Sequence, residues 1–198
     1  MTEPGQLEAA LAHLLMQLRR LGIPHALVGG LAVSIRGEVR FTRDVEMAVA
    51  VASDAAFESV VRDLAAVGYR VIAQVEHDQV DRLSIIRLRG RDGVVVDLLA
   101  ASSGIEEEIV AAATPVTIDG AGDVPVARTE DLLVMKLLSM SDRRPTDRAD
   151  ALGLIHAAPD LDLDWVRRRL DLIRARGFDR HKDLDSRLRE LVDDKNKP

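Results

Sequence analysis

Asp44 and Glu46 stand two residues apart in a stretch where Val45, Met47, Val49 and Val51 alternate with Asp44, Glu46, Ala48 and Ala50. That alternation predicts a strand over 44–51, so both carboxylates leave the same face. A pair of hard oxygen donors at this spacing suits magnesium, which is commonly held by one or two carboxylates and completed by substrate phosphates. A lone D-x-E is also what a solvated strand face looks like, and other residues must decide between the two.

Asp97 is the first of these. It interrupts the apolar run Val94-Val95-Val96-Asp97-Leu98-Leu99, and an ionised carboxylate in such a strand must neutralise, pair or bind metal. A turn around Arg91-Asp92-Gly93 predicts a hairpin between strands at 83–88 and 94–99. A two-residue loop would set Asp97 opposite Ile86 or Leu88, leaving metal as its partner. A three-residue loop would set it opposite Arg87 and allow a plain salt bridge. Gly29-Gly30 closes a short apolar strand at 25–28 and opens a helical turn, offering close backbone approach and free amides for a phosphate. Lys136 lies within the apolar segment Leu132-Leu133-Val134-Met135-Lys136-Leu137-Leu138, so its ammonium either snorkels outward or enters a polar cleft. Asp147 and Asp150 follow on the next helix, where Arg143, Arg144 and Arg148 could engage them in an ordinary surface charge lattice.

The elements that must position these groups are readable from periodicity. Leu7, Leu11, Leu14, Leu15, Leu18 and Leu21 predict a first helix, ended by Gly22 and Pro24. Ser53 caps a helix over 53–67 whose inner stripe is Phe57, Val60, Val61 and Leu64. Further strands are predicted at 69–75, 116–118 and 124–126, and helices at 105–113, 129–141, 145–156, 164–174 and 182–192, with a frayed tail beyond Asp193. The expected class is α+β: a mixed sheet flanked by helices over 1–127, with a helical region over 128–198 packed on it as one unit.

Composition bounds the function. The chain has 198 residues, 47% hydrophobic and 30% charged, enough for a packed core. Aromatics are only 3% of the chain, so a base-stacking platform is a poor model for nucleic-acid contact. Cysteine is absent, which removes disulfides, thiolate zinc sites and cysteine nucleophiles and makes the cytoplasm the natural compartment. No basic-then-apolar leader opens the chain at Met1 to Gln6, and no run reaches membrane-spanning length. The formal charge of −6 disfavours general or DNA-specific binding. Locally, Arg167, Arg168, Arg169, Arg174, Arg176, Arg180 and Lys182 outnumber Asp171 and Asp179; this is either a solvated helix face or an RNA-facing patch. The five histidines lack metal-binding spacing, and neither a serine elbow nor a P-loop is present.

Taken together, Gly29-Gly30, the run from Arg40 through Thr42 to Asp44 and Glu46, the strand carrying Asp97, and Arg128 to Lys136 followed by Arg143-Arg144-Pro145-Thr146-Asp147-Arg148-Ala149-Asp150 resemble the nucleotidyltransferases of the DNA polymerase β superfamily. The pattern is most similar to the AbiEii-like toxins of type IV toxin-antitoxin systems, over residues 25 to about 155. One departure is Glu46, where the family usually has Asp.

The resemblance implies an enzyme that moves a nucleoside monophosphate from an NTP to an acceptor hydroxyl with two Mg²⁺ ions. Asp44, Glu46 and Asp97 would be metal ligands, and Gly29, Gly30 and Thr42 would contact phosphates. Lys136 would offset phosphate charge, and Asp150, with Asp147, would orient Lys136 or the acceptor. For the toxin branch it implies the tRNA 3′ end as acceptor and a cognate antitoxin as partner. Related enzymes modify small molecules or proteins, and a weakened nucleotide-binding regulatory module is a third reading.

Overall fold

A computed structural model describes residues 5–141 and 144–195; Arg143, from the helical motif, lies outside them. The chain runs α1 (Gln6–Arg20), β1 (His25–Val28), α2 (Gly29–Arg36), β2 (Asp44–Val49), α3 (Asp54–Ala66), β3 (Arg70–His77), β4 (Arg82–Arg89), β5 (Val95–Leu99), α4 (Glu106–Ala112), β6 (Thr114–Ile118), β7 (Gly122–Val126), α5 (Thr129–Ser139), α6 (Pro145–Ala157), α7 (Leu163–Ala175) and α8 (Leu184–Lys195). The α+β class and the mixed sheet agree with the pattern of the sequence. The tail expected to fray after Asp193 is helical to Lys195.

Local chemistry explains the boundaries. α1 buries Leu11, Leu14, Leu15 and Leu18 and ends where Gly22 turns left-handed, with Ile23 N–H reaching back to the Leu18 carbonyl. α3 starts on Ser53, whose hydroxyl accepts from Ala56 N–H, and buries the stripe of Phe57, Val60, Val61 and Leu64. α6 takes Pro145 at its first turn, where no amide is missed.

The seven strands form one sheet in the order β3-β4-β5-β2-β1-β7-β6. Neighbours β1 and β2 are antiparallel, whereas β2–β5 and β1–β7 are parallel. β1 is buried at every residue, the burial expected of a strand in mid-sheet. β3 lies at the edge and is exposed along nearly its whole length. The buried apolar side chains form a continuous cluster from Ala10 to Leu191, so α5 to α8 share the core of the sheet. No helix among the described residues is long and apolar enough to cross a membrane.

Register is what brings the acidic residues together. β5 lies beside β2 with Glu46 level with Asp97 and Asp44 level with Val95. β4 closes on β5 through a three-residue loop, in which Gly90 N–H bonds to the Val94 carbonyl and Gly93 has φ 83°. Arg87 therefore faces Asp97. One level of the sheet thus carries Arg87, Asp97, Glu46 and Val28 in succession.

Candidate active site

This level of the sheet forms the floor of a cleft of about 790 Å³, lined among others by Gly29, Arg40, Thr42, Asp44, Glu46, Arg87, Asp97, Lys136 and Asp147. The Gly-Gly turn makes the floor possible. Gly29 has φ 67°, and a Cβ on it would lie 1.8 Å from Glu46 Oε2; one on Gly30 would lie 2.8 Å from an Arg40 guanidinium nitrogen and 2.9 Å from Thr42 Oγ1. Only glycine admits side chains this close to the backbone.

Each carboxylate meets a different environment. Asp44, half-buried, accepts a hydrogen bond from the Thr42 hydroxyl at 3.2 Å. Glu46 accepts from Gly30 N–H at 2.8 Å. Desolvation pushes the Glu46 carboxyl above the usual carboxylate range, against that hydrogen bond, and the neighbouring charges of Asp44 and Asp97 push it further. Asp97 is nine-tenths buried, and both of its oxygens are taken by Arg87, from Nε at 2.7 Å and from Nη2 at 2.6 Å. The bidentate pair in turn holds the Arg87 guanidinium more firmly protonated than usual.

At two places the structure shows which contact is made. Of the two partners open to Asp97, the three-residue loop places Arg87 opposite it, and the salt bridge forms. At the Gly29-Gly30 turn, the extra methylene of Glu46, compared with Asp, lets its carboxylate fold back and occupy Gly30 N–H. Among the described residues no three acidic or histidine side chains converge tightly enough to hold an ion in this arrangement. Asp44 and Glu46 nonetheless fit a divalent cation. They share a strand face, neither makes an ion pair among the described residues, and at Glu46 desolvation outweighs the opposing Gly30 amide and the charge of Lys136.

Lys136 does not snorkel. Its side chain is 12% exposed and sits between Asp147 at 2.9 Å and Asp150 at 2.8 Å, both on α6. Asp150 also pairs with Arg40 at 2.7 Å, and Asp147 with Arg144 at 3.3 Å. Three cations thus share two carboxylates at the edge of the cleft, leaving local positive charge facing the acidic floor. The helical motif joins the β2 motif through this network, and Arg40 is the link. Arg40 lies within the quoted pattern, but periodicity gave it no role, since a loop residue has no face to assign.

Except at Arg180, the cations of the basic run are engaged within the chain. Arg169 pairs with buried Asp131 at 2.9 Å, Arg176 with Glu108 at 2.6 Å, Arg174 with Asp171 and Asp185, Arg167 with Asp164, and Arg168 with Asp162 at 3.7 Å. Lys182 donates to the Leu138 and Met140 carbonyls at the end of α5. The cleft also takes in residues that the sequence did not single out, Gln79, Ser102, Ser103 and, with no special role, His77 and His181. They come from the end of β3 and from loops far apart in the chain, and no local pattern announces their meeting.

No protein-family model matches the chain, and no curated protein matches it. Solved structures do. An antigenic nucleotidyltransferase-like protein from Paracoccidioides brasiliensis is similar over 93% of this chain and 92% of its own, at 21% identity and a TM-score of 0.54. The antibiotic-resistance factor ANT(2″)-Ia, solved in complex with adenylyl-2″-tobramycin, is similar over 85% of this chain and 98% of its own, at 18% identity and a TM-score of 0.56. With its mixed seven-stranded sheet and the helices around it, this chain has the nucleotidyltransferase fold.

Proposed function

We propose that the chain is a magnesium-dependent nucleotidyltransferase that moves a nucleoside monophosphate from an NTP to a hydroxyl of a small acceptor. The observation that carries this reading is the pair Asp44 and Glu46, on one strand face at the floor of an open cleft, against a Gly-Gly turn and without cationic partners among the described residues.

In this reading the acceptor oxygen bonds to the α-phosphorus of the NTP, the bond to the β-phosphate oxygen breaks, and pyrophosphate leaves. Asp44 and Glu46 would hold the magnesium ion, which supplies charge neutralisation of the triphosphate. Thr42, already hydrogen-bonded to Asp44, fixes that carboxylate in place. Release of Gly30 N–H by Glu46 would return the turn to the phosphates, with Gly29 allowing close approach. Lys136 and Arg40, held by Asp147 and Asp150, oppose the charge that develops on the leaving phosphates. Asp97 lies on the Arg87 side of the floor. Freed from Arg87, it would serve a second ion or receive the proton of the acceptor hydroxyl.

The choice of acceptor rests on the basic run. The tRNA 3′ end, and with it a toxin restrained by an antitoxin, is the reading that a free basic patch would favour, and the arginines of the run other than Arg180 are spent on internal partners. The test is to incubate the protein with Mg²⁺, each α-labelled NTP, and either a panel of small hydroxyl compounds or total tRNA. Label on a small compound, lost in Asp44→Ala, is the expected result. Label on tRNA alone reverses the choice of acceptor, and NTP binding without any transfer leaves a regulatory module.

A further inference from the structure

Beyond Asp97 the cleft continues to an end of different character. Its walls are the loop 78–81 between β3 and β4, Ser102 and Ser103 after β5, and the loop 176–183 between α7 and α8. Gln79 fastens the two loops together: its Oε1 accepts from Arg180 N–H at 2.7 Å, and its Nε2 donates to Asp179 Oδ1 at 3.3 Å. Arg180 and His181 are held at φ 54° and 55°, a left-handed conformation that non-glycine residues adopt at a cost and that clusters at binding sites.

That strained turn places Arg180 in the cleft wall, where one guanidinium nitrogen donates to the Ser102 carbonyl at 2.8 Å and no carboxylate pairs with it among the described residues. Arg144 lines the same end and is largely exposed, with its 3.3 Å contact to Asp147 as its one ion pair among the described residues. The acids nearby compensate only in part. Glu106 is saturated by the amides of Ser102, Ser103 and Gly104, and Glu76 and Asp78 are exposed to solvent on the outer hairpin. His77 supplies a third, independent sign. Its Nδ1 accepts from Gln79 N–H, which leaves the proton on Nε2, and Nε2 is buried without an acceptor. Burial, reinforced by the charge of Arg144 and only partly opposed by Glu106 and Asp78, pushes the Arg180 guanidinium below its ordinary range.

We propose that this end of the cleft is a subsite for an anionic group, a phosphate or a carboxylate, carried by a small acceptor and recognised by the guanidiniums of Arg180 and Arg144. Naming the ligand an acceptor rests on the nucleotidyl-transfer reading; the anion site itself does not. Arg is the residue suited to planar, two-pronged recognition of such groups. A polycationic amino-sugar would meet like charge here and be refused.

The experiment is calorimetric titration of the full chain with ribose 5-phosphate, ribose and tobramycin, each with and without saturating Mg²⁺ and a non-hydrolysable NTP. Ribose 5-phosphate should bind about tenfold or more tightly than either of the others, and Arg180→Gln should remove that preference. Arg144→Gln, an exposed position that does not threaten folding, should weaken the phosphate compound severalfold, and Arg180→Lys should restore part of the loss. NTP affinity should hold in all three variants. Equal binding of ribose and ribose 5-phosphate, tighter binding of tobramycin, or loss of NTP affinity in place of sugar-phosphate affinity overturns the proposal; the last outcome would assign these cations to the triphosphate. Failure of the wild type to bind NTP would count against the transferase reading, while the sugar-phosphate titration would still decide the anion site.

Discussion

Two regions attract notice by charge, the acidic pair on β2 and the basic run along α7, and the fold treats them in opposite ways. Asp44 and Glu46 are gathered at the floor of a cleft without ion-pair partners among the described residues. The arginines of α7, and Arg176 just after it, are answered one by one, by Asp164, Asp162, Asp131, Asp171, Asp185 and Glu108. Charge that is compensated within the chain serves solubility and stability. Charge left uncompensated in a cleft is held against repulsion and desolvation, and that stored cost is available to a ligand.

The comparison can be broken or sharpened by substitution. The largest expected effect is at Asp44: Asp44→Ala should lower nucleotidyl transfer about a thousandfold while leaving the melting temperature equal or higher, because a repelling carboxylate is gone. Label transfer beside a thermal melt reads both, and retained activity would remove Asp44 from the metal site. Arg169→Met should do the reverse. It strands Asp131, which is fully buried, and should cost about 3–5 kcal/mol in denaturant unfolding with transfer per folded molecule unchanged.

Glu46→Asp gives a smaller and more pointed effect. Shortening the arm should withdraw the carboxylate from Gly30 N–H and free that amide for phosphate, raising NTP affinity about tenfold, the worth of one charge-assisted hydrogen bond; an unchanged titration would mean that Glu46 leaves the amide without effort. In the loop between α7 and α8, burial and the charges of Arg187 and Arg180 lower the Lys182 ammonium to about 8. The unfolded chain then holds the proton more tightly than the folded one between about pH 8 and the ordinary lysine value near 10.4. Stability should therefore rise with pH across that window in the wild type more than in Lys182→Met, as melts at pH 7 and pH 9 would record. The smallest effect is expected of Arg168→Gln, whose partner is 3.7 Å away and exposed: stability within about 0.5 kcal/mol, and no change in labelling of any acceptor. A selective loss of tRNA labelling would restore an RNA-facing role to α7.

Much of this fold is legible in the sequence. The leucines of α1, the Ser53 cap, the buried strand His25–Val28 and the alternation of β2 are set by interactions within a few residues, and the structure keeps them. The nearness of Asp44 to Glu46 is of the same kind, a consequence of the two-residue period of a strand. Asp97 was recognisable as a buried charge in search of a partner, but whether that partner is metal or Arg87 turned on a single residue in the hairpin loop, which composition does not count. Lys136 was likewise ambiguous until α6 was packed beside α5 and presented Asp147 and Asp150 to it.

What the sequence by itself determined is therefore the class of the fold and its elements, with Asp44 and Glu46 on one strand face, because periodicity and capping are short-range. What only the tertiary structure decided is which charges are spent. The pairing of Arg87 with Asp97, the return of Glu46 to the Gly30 amide, the internal answers to the basic run and the meeting of Gln79 with Arg180 all join residues whose distance along the chain says nothing of their distance in space. The physical reason is that a buried charge is satisfied by whatever the packed elements bring within about 4 Å, and packing is a property of the whole chain.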